Sequence, residues 1–324
     1  MNAPSMNFDQ IVFAGGGNRC WWQIGFWHAL NEVFPQHPRR IVAVSAGAAS
    51  ACLLYSRPNN AGAQWALQYY KKALINVKKN ANWSNILTDQ KVFPHNELYK
   101  AALTNILSAA PQSLVNAPEI WIGFSHIPKF LGPKLAVLLG LLVYNLEKHL
   151  FKTVHPELGR KLGFKREFIR AQDSENLEDL VNLIMQSSCT PPFTPVMYRG
   201  KNPVLDGGLV DNVPIDGLLP AIKGEEPKKA LVLLTRRYPL PDVFIKEVLG
   251  LKLTYVQPSE TLPISSWDYT RSDLMEPTYQ QGVEDAQKFI RHLEGDVAMQ
   301  QKIPVKGEKI DLIFKTAGND NEPS

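Results

Sequence analysis

The apolar run Ile11-Val-Phe-Ala14 breaks into Gly15-Gly16-Gly17. After Asn18 and Arg19 comes a segment, 20–34, in which Trp21, Ile24, His28 and Ala29 recur at helical spacing. Pro35 and Pro38 end that helix, and a second apolar run from Arg40 to Val44 leads directly into Ser45. Residues 46–55 are compatible with a helix. This is a strand-loop-helix-strand unit, and its short crossover predicts a parallel pair. Beyond it the texture changes. Residues 61–78, 95–108 and 134–150 read as helices, with no strand alternation between them, which predicts a helical cap or lid over 59–161. Further on the pattern predicts a strand over 164–172, a helix over 176–188 and a strand pair over 196–205 turning at Gly200. A buried strand over 230–235 and an amphipathic helix over 278–293 close it. The reading is a single α/β domain over 8–295 and an extension, 296–324, whose polar end is expected to fray.

Composition narrows the function more than the fold. With 44 % apolar and 20 % charged residues in 324, the chain can bury a large core. A net charge of +4 argues against nucleic acid, although a local basic face could meet an anionic membrane. Cys20, Cys52 and Cys189 fit neither a disulfide framework nor a metal-ligand spacing, so they read as reduced thiols and no metal is expected. Residues 1–10 lack a signal-peptide pattern, and the most hydrophobic run, 135–146, is short of the ~20 residues a spanning helix needs. A cytoplasmic protein, at most peripheral at membranes, is the expectation. Residues 127–146, flanked by Lys129, Lys134 and Lys148, are either a membrane-touching lid or a buried cap helix.

The candidate chemistry lies in three places. Ala43-Val-Ser-Ala-Gly47 puts Ser45 at a strand-to-helix turn flanked by small residues, the setting in which a serine Oγ is presented as a nucleophile. Gly15, Gly16 and Gly17 follow a strand and precede a helix, so their amides can converge on an oxyanion. A nucleotide loop fits worse: Cys20 occupies the third glycine position and no Gly-Lys-Ser/Thr follows. Asp206, at the end of a strand-like run and before Gly207-Gly208, could accept the Ser45 proton. The alternative base is His292, near the end of the last helix, where a charge at the C-terminal turn explains it as well.

Taken in order, these segments resemble the patatin-like phospholipase family. Ala14-Gly-Gly-Gly-Asn-Arg19 is similar to its glycine-rich loop, and Ala43-Val-Ser-Ala-Gly47 to its nucleophile motif. Ser187-Ser-Cys-Thr-Pro-Pro-Phe-Thr-Pro195 resembles the block ahead of the aspartate, and Leu205-Asp-Gly-Gly-Leu-Val-Asp-Asn-Val-Pro214 the aspartate block itself. Residues 279–286 are similar to the helix that closes the domain. The chain departs at Ala43 and at Cys20, where the family carries glycine. The resemblance implies a three-layer α/β core with a mainly parallel sheet, helices on both faces and no cofactor. It also implies hydrolysis of fatty acyl esters by a Ser45–Asp206 dyad with a Gly15–Gly17 oxyanion hole, supported by Arg19, Gly47, Gly207 and Gly208. A silent lipid-binding module and an esterase or acyltransferase for small soluble esters are the rival readings.

Overall fold

The computed structural model describes residues 7–57, 61–81, 93–128, 153–156, 158–191, 193–220, 228–248 and 250–300. Among them nine strands form one mixed sheet. They are β1 (Gln10–Phe13), β2 (Arg40–Val44), β3 (Glu119–His126), β4 (Lys165–Arg170), β5 (Met197–Arg199), β6 (Asn202–Asp206), β7 (Lys229–Leu233), β8 (Val243–Val248) and β9 (Leu251–Val256). The centre, β3-β2-β1-β7-β9, is parallel throughout; β4, β5, β6 and β8 join antiparallel at the flanks. The central strands are near-continuous apolar runs because both of their faces are covered.

Alternate residues of those strands feed two cores. Ile11, Phe13, Ile41, Ala43, Ile120 and Ile122 face the larger one with six helices: α1 (Cys20–Val33), α2 (Ala46–Leu54), α3 (Ala61–Leu74), α4 (His95–Ile106), α5 (Leu177–Ser187) and α6 (Met275–Gln300). Val12, Ala14, Val42 and Val232 face the smaller one, covered by Val154, Val213 and Leu218 around the helical turn Ile215–Gly217. The three layers and the mostly parallel sheet agree with the sequence reading. α6 closes the larger core against α1 at a glycine pair: a Cβ on Gly25 would lie 2.0 Å from the Tyr279 carbonyl oxygen, and one on Gly282 2.1 Å from that of Trp22. Only bare backbone lets the two helices approach this far.

One expectation is corrected. The stretch 59–161 is not a purely helical cap, because it contributes β3, a central strand paired with β2, β4 and β6. Its period-2 signal is hidden since Gly123 and Ser125, which point away from the helices, are themselves buried and small. α3 and α4 pack into the larger core rather than over it. The hairpin β8–β9 was not anticipated at all. The expected helix 134–150, most of the 127–146 segment and all but the first residues of the 296–324 extension lie outside the described residues. None of the described helices is long and apolar enough to cross a membrane.

Candidate active site

The edge of β3 is shared end to end by two strands. β2 pairs with it as far as Val44↔Gly123, and β6 takes over at Phe124↔Asp206. β2 runs parallel to β3 and β6 antiparallel, so their C-terminal ends meet. Ser45 and Asp206, distant in sequence, thereby become neighbours, and the Ser45 side chain stands close enough to the Asp206 carboxylate to favour its ionised form. Both residues are 7 % exposed.

Ser45 adopts φ 55°, ψ −136°, the one positive φ outside glycine among the described residues. Such a conformation costs roughly 1–3 kcal/mol and persists only where the surroundings enforce it. Here Ser187 enforces it: its Oγ accepts from the Ser45 amide at 2.7 Å and donates to the Gly123 carbonyl at 2.6 Å. Gly47 lets α2 start hard against the end of β1, since a Cβ there would sit 2.6 Å from the Ala14 carbonyl oxygen. Ala43 lies inside β2 with its methyl group in the core, so the departure from glycine falls before the sharp turn and does not alter it.

Asp206 has ordinary backbone angles, φ −49° and ψ 132°. Its amide donates to the Cys189 carbonyl at 2.7 Å. The Gly208 amide donates to Oδ1 at 2.6 Å and the Thr190 hydroxyl to Oδ2 at 3.3 Å. Burial pushes its carboxyl up to about 6, against the nearby Ser45 side chain, the hydrogen bonds from Gly208 and Thr190 and the charge of Arg166, which pull it down. A carboxylate so placed is a far better proton acceptor than a solvated one.

The glycine loop abuts Ser45: a Cβ on Gly15 would lie 3.2 Å from the serine Cβ. Within the loop the Gly15 amide donates to the Asn212 carbonyl at 3.0 Å. The Gly15 carbonyl in turn accepts from Asn212 Nδ2 and Thr235 Oγ1, both at 2.6 Å. Gly15 therefore ties the loop to the aspartate block, and its amide is occupied. No described residue accepts from the amides of Gly16 and Gly17, and Gly17 has a positive φ of 56°. Arg19 reaches back to the Gly16 carbonyl through Nε at 3.4 Å.

From Ser45 a narrow, mostly apolar cavity of about 80 Å³ runs between α1, α2, α3 and α4. Ile24, Leu53, Leu103 and Ile106 line it, with Tyr99, His95 and Trp267 on one side. His95 was not weighed in the sequence. It is 1 % exposed, its Nε2 lies 3.1 Å from the Trp267 carbonyl, and burial holds it below the usual imidazole range. His292, the alternative base, is exposed on α6 and does not line the cavity. Ser187, Thr190 and Asn212 were also missed as individuals, although each stands inside a block the resemblance singled out. No group of His, Cys, Asp and Glu suited to a metal occurs among the described residues.

Two solved structures align over most of this chain. VipD from Legionella pneumophila aligns over 89 % of this chain and 67 % of its own, with 11 % identity and a TM-score of 0.43. The human GIVD cytosolic phospholipase A2 aligns over 90 % of this chain and 62 % of its own, with 9 % identity and a TM-score of 0.47. Among curated proteins, none matches the sequence. The model of the patatin-like phospholipase family matches residues 11–219, which include the glycine loop, Ser45, Asp206 and Asn212. Over more than half its length, then, the chain carries that family's sequence pattern, and it belongs to the patatin-like phospholipases.

Proposed function

We propose that the protein hydrolyses fatty acyl esters of lipids, phospholipids among them, with Ser45 as nucleophile and Asp206 as its base. The observation that carries this is Ser45, held at a strained turn beside a buried carboxylate and lining an apolar cavity. Ser45 Oγ attacks the ester carbonyl as its proton passes to Asp206, and the carbonyl oxygen becomes an oxyanion. The amides of Gly16 and Gly17 hold that oxyanion; Gly15 takes no part. Collapse expels the alcohol, which takes the proton from Asp206. Water, deprotonated by the same carboxylate, then releases the fatty acid from Ser45. Along Ile24, Leu53, Leu103 and Ile106 the acyl chain is buried, at about 0.8 kcal/mol for each methylene. No cofactor enters any step.

Treating the intact protein with a fluorophosphonate and mapping the modified peptide tests the nucleophile, and label on Ser45 is the expected result. Filling the cavity with Leu103→Trp tests the acyl site. Hydrolysis of long-chain esters should fall at least tenfold relative to short-chain esters; equal losses on both would place the acyl chain elsewhere.

A further inference from the structure

Arg166 belongs to none of the motifs, yet its side chain is 2 % exposed and lies against the turn that carries Asp206. It projects from β4 at the position opposite Ser125 of β3, one step from the Phe124↔Asp206 pair. Its Nη2 donates to the carbonyl of Gly207 at 3.2 Å and to that of Asp211, the two ends of the turn after Asp206. Nη1 pairs with Asp216. The Gly207 carbonyl also accepts the amides of Val210 and Asp211 at 3.3 and 3.4 Å, closing the turn. Inside that turn is the Gly208 amide on which the Asp206 carboxylate rests. Two carbonyls could be satisfied by water or a hydroxyl. A buried guanidinium, whose Nε has no partner among the described residues, is an expensive way to do it.

We infer that Arg166 is a positioning residue for the dyad: its fork fixes the Gly207–Asp211 turn that presents Asp206 to Ser45. This rests on the reading of Ser45 and Asp206 given above. Arg166 is also a cation whose charge favours the ionised Asp206 carboxylate. The other groups facing the carboxylate are the hydroxyls of Ser45 and Thr190 and the Gly208 amide. Cys20 on α1, Tyr99 on α4 and Cys189 lie within its field. Burial raises all three, Cys20 to about 12 and Cys189 to about 11, so they stay neutral while Asp206 titrates. Around Arg166 itself stand Asp216 and Asp211, the latter also held by His155 at 2.9 Å and approached by Arg160 at 3.7 Å.

The test is the pH profile of kcat/KM on a short soluble ester, with the rate of fluorophosphonate labelling of Ser45 as a second readout. In the wild type the acidic limb should have its midpoint near pH 6. Arg166→Met should move that midpoint up and lower the plateau. Arg166→Lys keeps a charge but loses the fork, so the midpoint should stay within about 0.3 units while kcat falls and KM changes little. Asp216→Asn removes the negative partner and should move the midpoint down, opposite to Arg166→Met; it carries the test where Arg166→Met does not fold. A folded Arg166→Met, or failing that Asp216→Asn, with wild-type midpoint overturns the electrostatic role. Loss of melting temperature alone, with plateau and midpoint intact in both arginine variants, makes Arg166 merely structural. A wild type whose Ser45 does not label overturns the dyad reading and this one with it. A labelled wild type with unresponsive variants overturns Arg166 alone.

Discussion

The turn after β2 and the turn after β6 meet at one edge of β3, yet they are held in different currencies. At Ser45 the cost is conformational: a non-glycine residue at positive φ, kept there by Ser187 and by the room that Gly47 provides. At Asp206 the backbone is relaxed and the cost is electrostatic, a carboxylate buried to 7 % exposure and held up at about 6. Conformational cost is written locally, in small residues beside the strained one. Electrostatic cost is offset by groups from other elements, Thr190 and Arg166 among them, which no local pattern announces.

The largest effect expected separates the two turns outright. Ser45→Ala should abolish hydrolysis and fluorophosphonate labelling while leaving the melting temperature within a few degrees, because the strain stays and only a hydroxyl goes. Measurable turnover in a folded Ser45→Ala protein would remove Ser45 from the chemistry.

Asp206→Asn should lower kcat/KM by about 10²–10⁴ and, unlike the serine variant, make the protein more stable. The sign follows from linkage. The carboxyl in the fold is raised to about 6 from an ordinary 3.8, so the folded protein binds its proton more tightly than the unfolded chain. Ionised Asp206 therefore destabilises the fold fully above pH 6, and the penalty disappears as pH falls towards 3.8. At about 1.4 kcal/mol per unit, the asparagine variant gains up to about 3 kcal/mol at pH 8 and only about 0.5 kcal/mol at pH 4. Denaturant melts at those two pH values check this, and an equal effect at both would show that the carboxylate is not strained by burial.

Ser187→Ala sharpens the comparison from the conformational side. It leaves the Ser45 amide and the Gly123 carbonyl without their shared hydroxyl, at about 1–3 kcal/mol for each buried group left unpaired. Stability should fall, and turnover should drop roughly tenfold as the elbow relaxes. The acidic limb near pH 6 should not move, since Ser187 does not touch Asp206. A shifted midpoint would mean that the two turns are coupled more closely than their hydrogen bonds indicate.

The same division decides what was legible in the sequence. Ser45, Asp206 and the glycine run stood out because tight turns select small residues and these leave a pattern. β1, β2, β7 and the helices α1, α2, α5 and α6 were read from apolar periodicity. β3 was not, since Gly123 and Ser125, which alternate with its core residues, are small and buried rather than charged and exposed, and with it went the strand that aligns the two turns. The bond from the Gly15 amide to Asn212 was not legible, because composition cannot tell a free amide from an occupied one. Arg166 was invisible for the reason that Asp206 needs it: the contact exists only after β4 and β6 are placed on β3.

Ala43→Gly, which restores the glycine usual in this motif, should have the smallest effect on turnover. Ala43 is fully buried within β2, paired with Phe13 of β1 and Ile122 of β3, and its methyl belongs to the larger core. Removing the methyl forfeits about 0.8 kcal/mol of burial, and glycine within a strand adds about 0.5–1 kcal/mol of chain entropy. The variant should lose about 1–2 kcal/mol of stability with kcat/KM within roughly twofold of wild type. The strained angle sits at Ser45, two residues on, and is fixed by Ser187 and Gly47 whichever residue stands at 43. A severalfold rise in kcat with KM unchanged would show that the alanine methyl restrains the elbow, and that the conformational cost extends back into the strand.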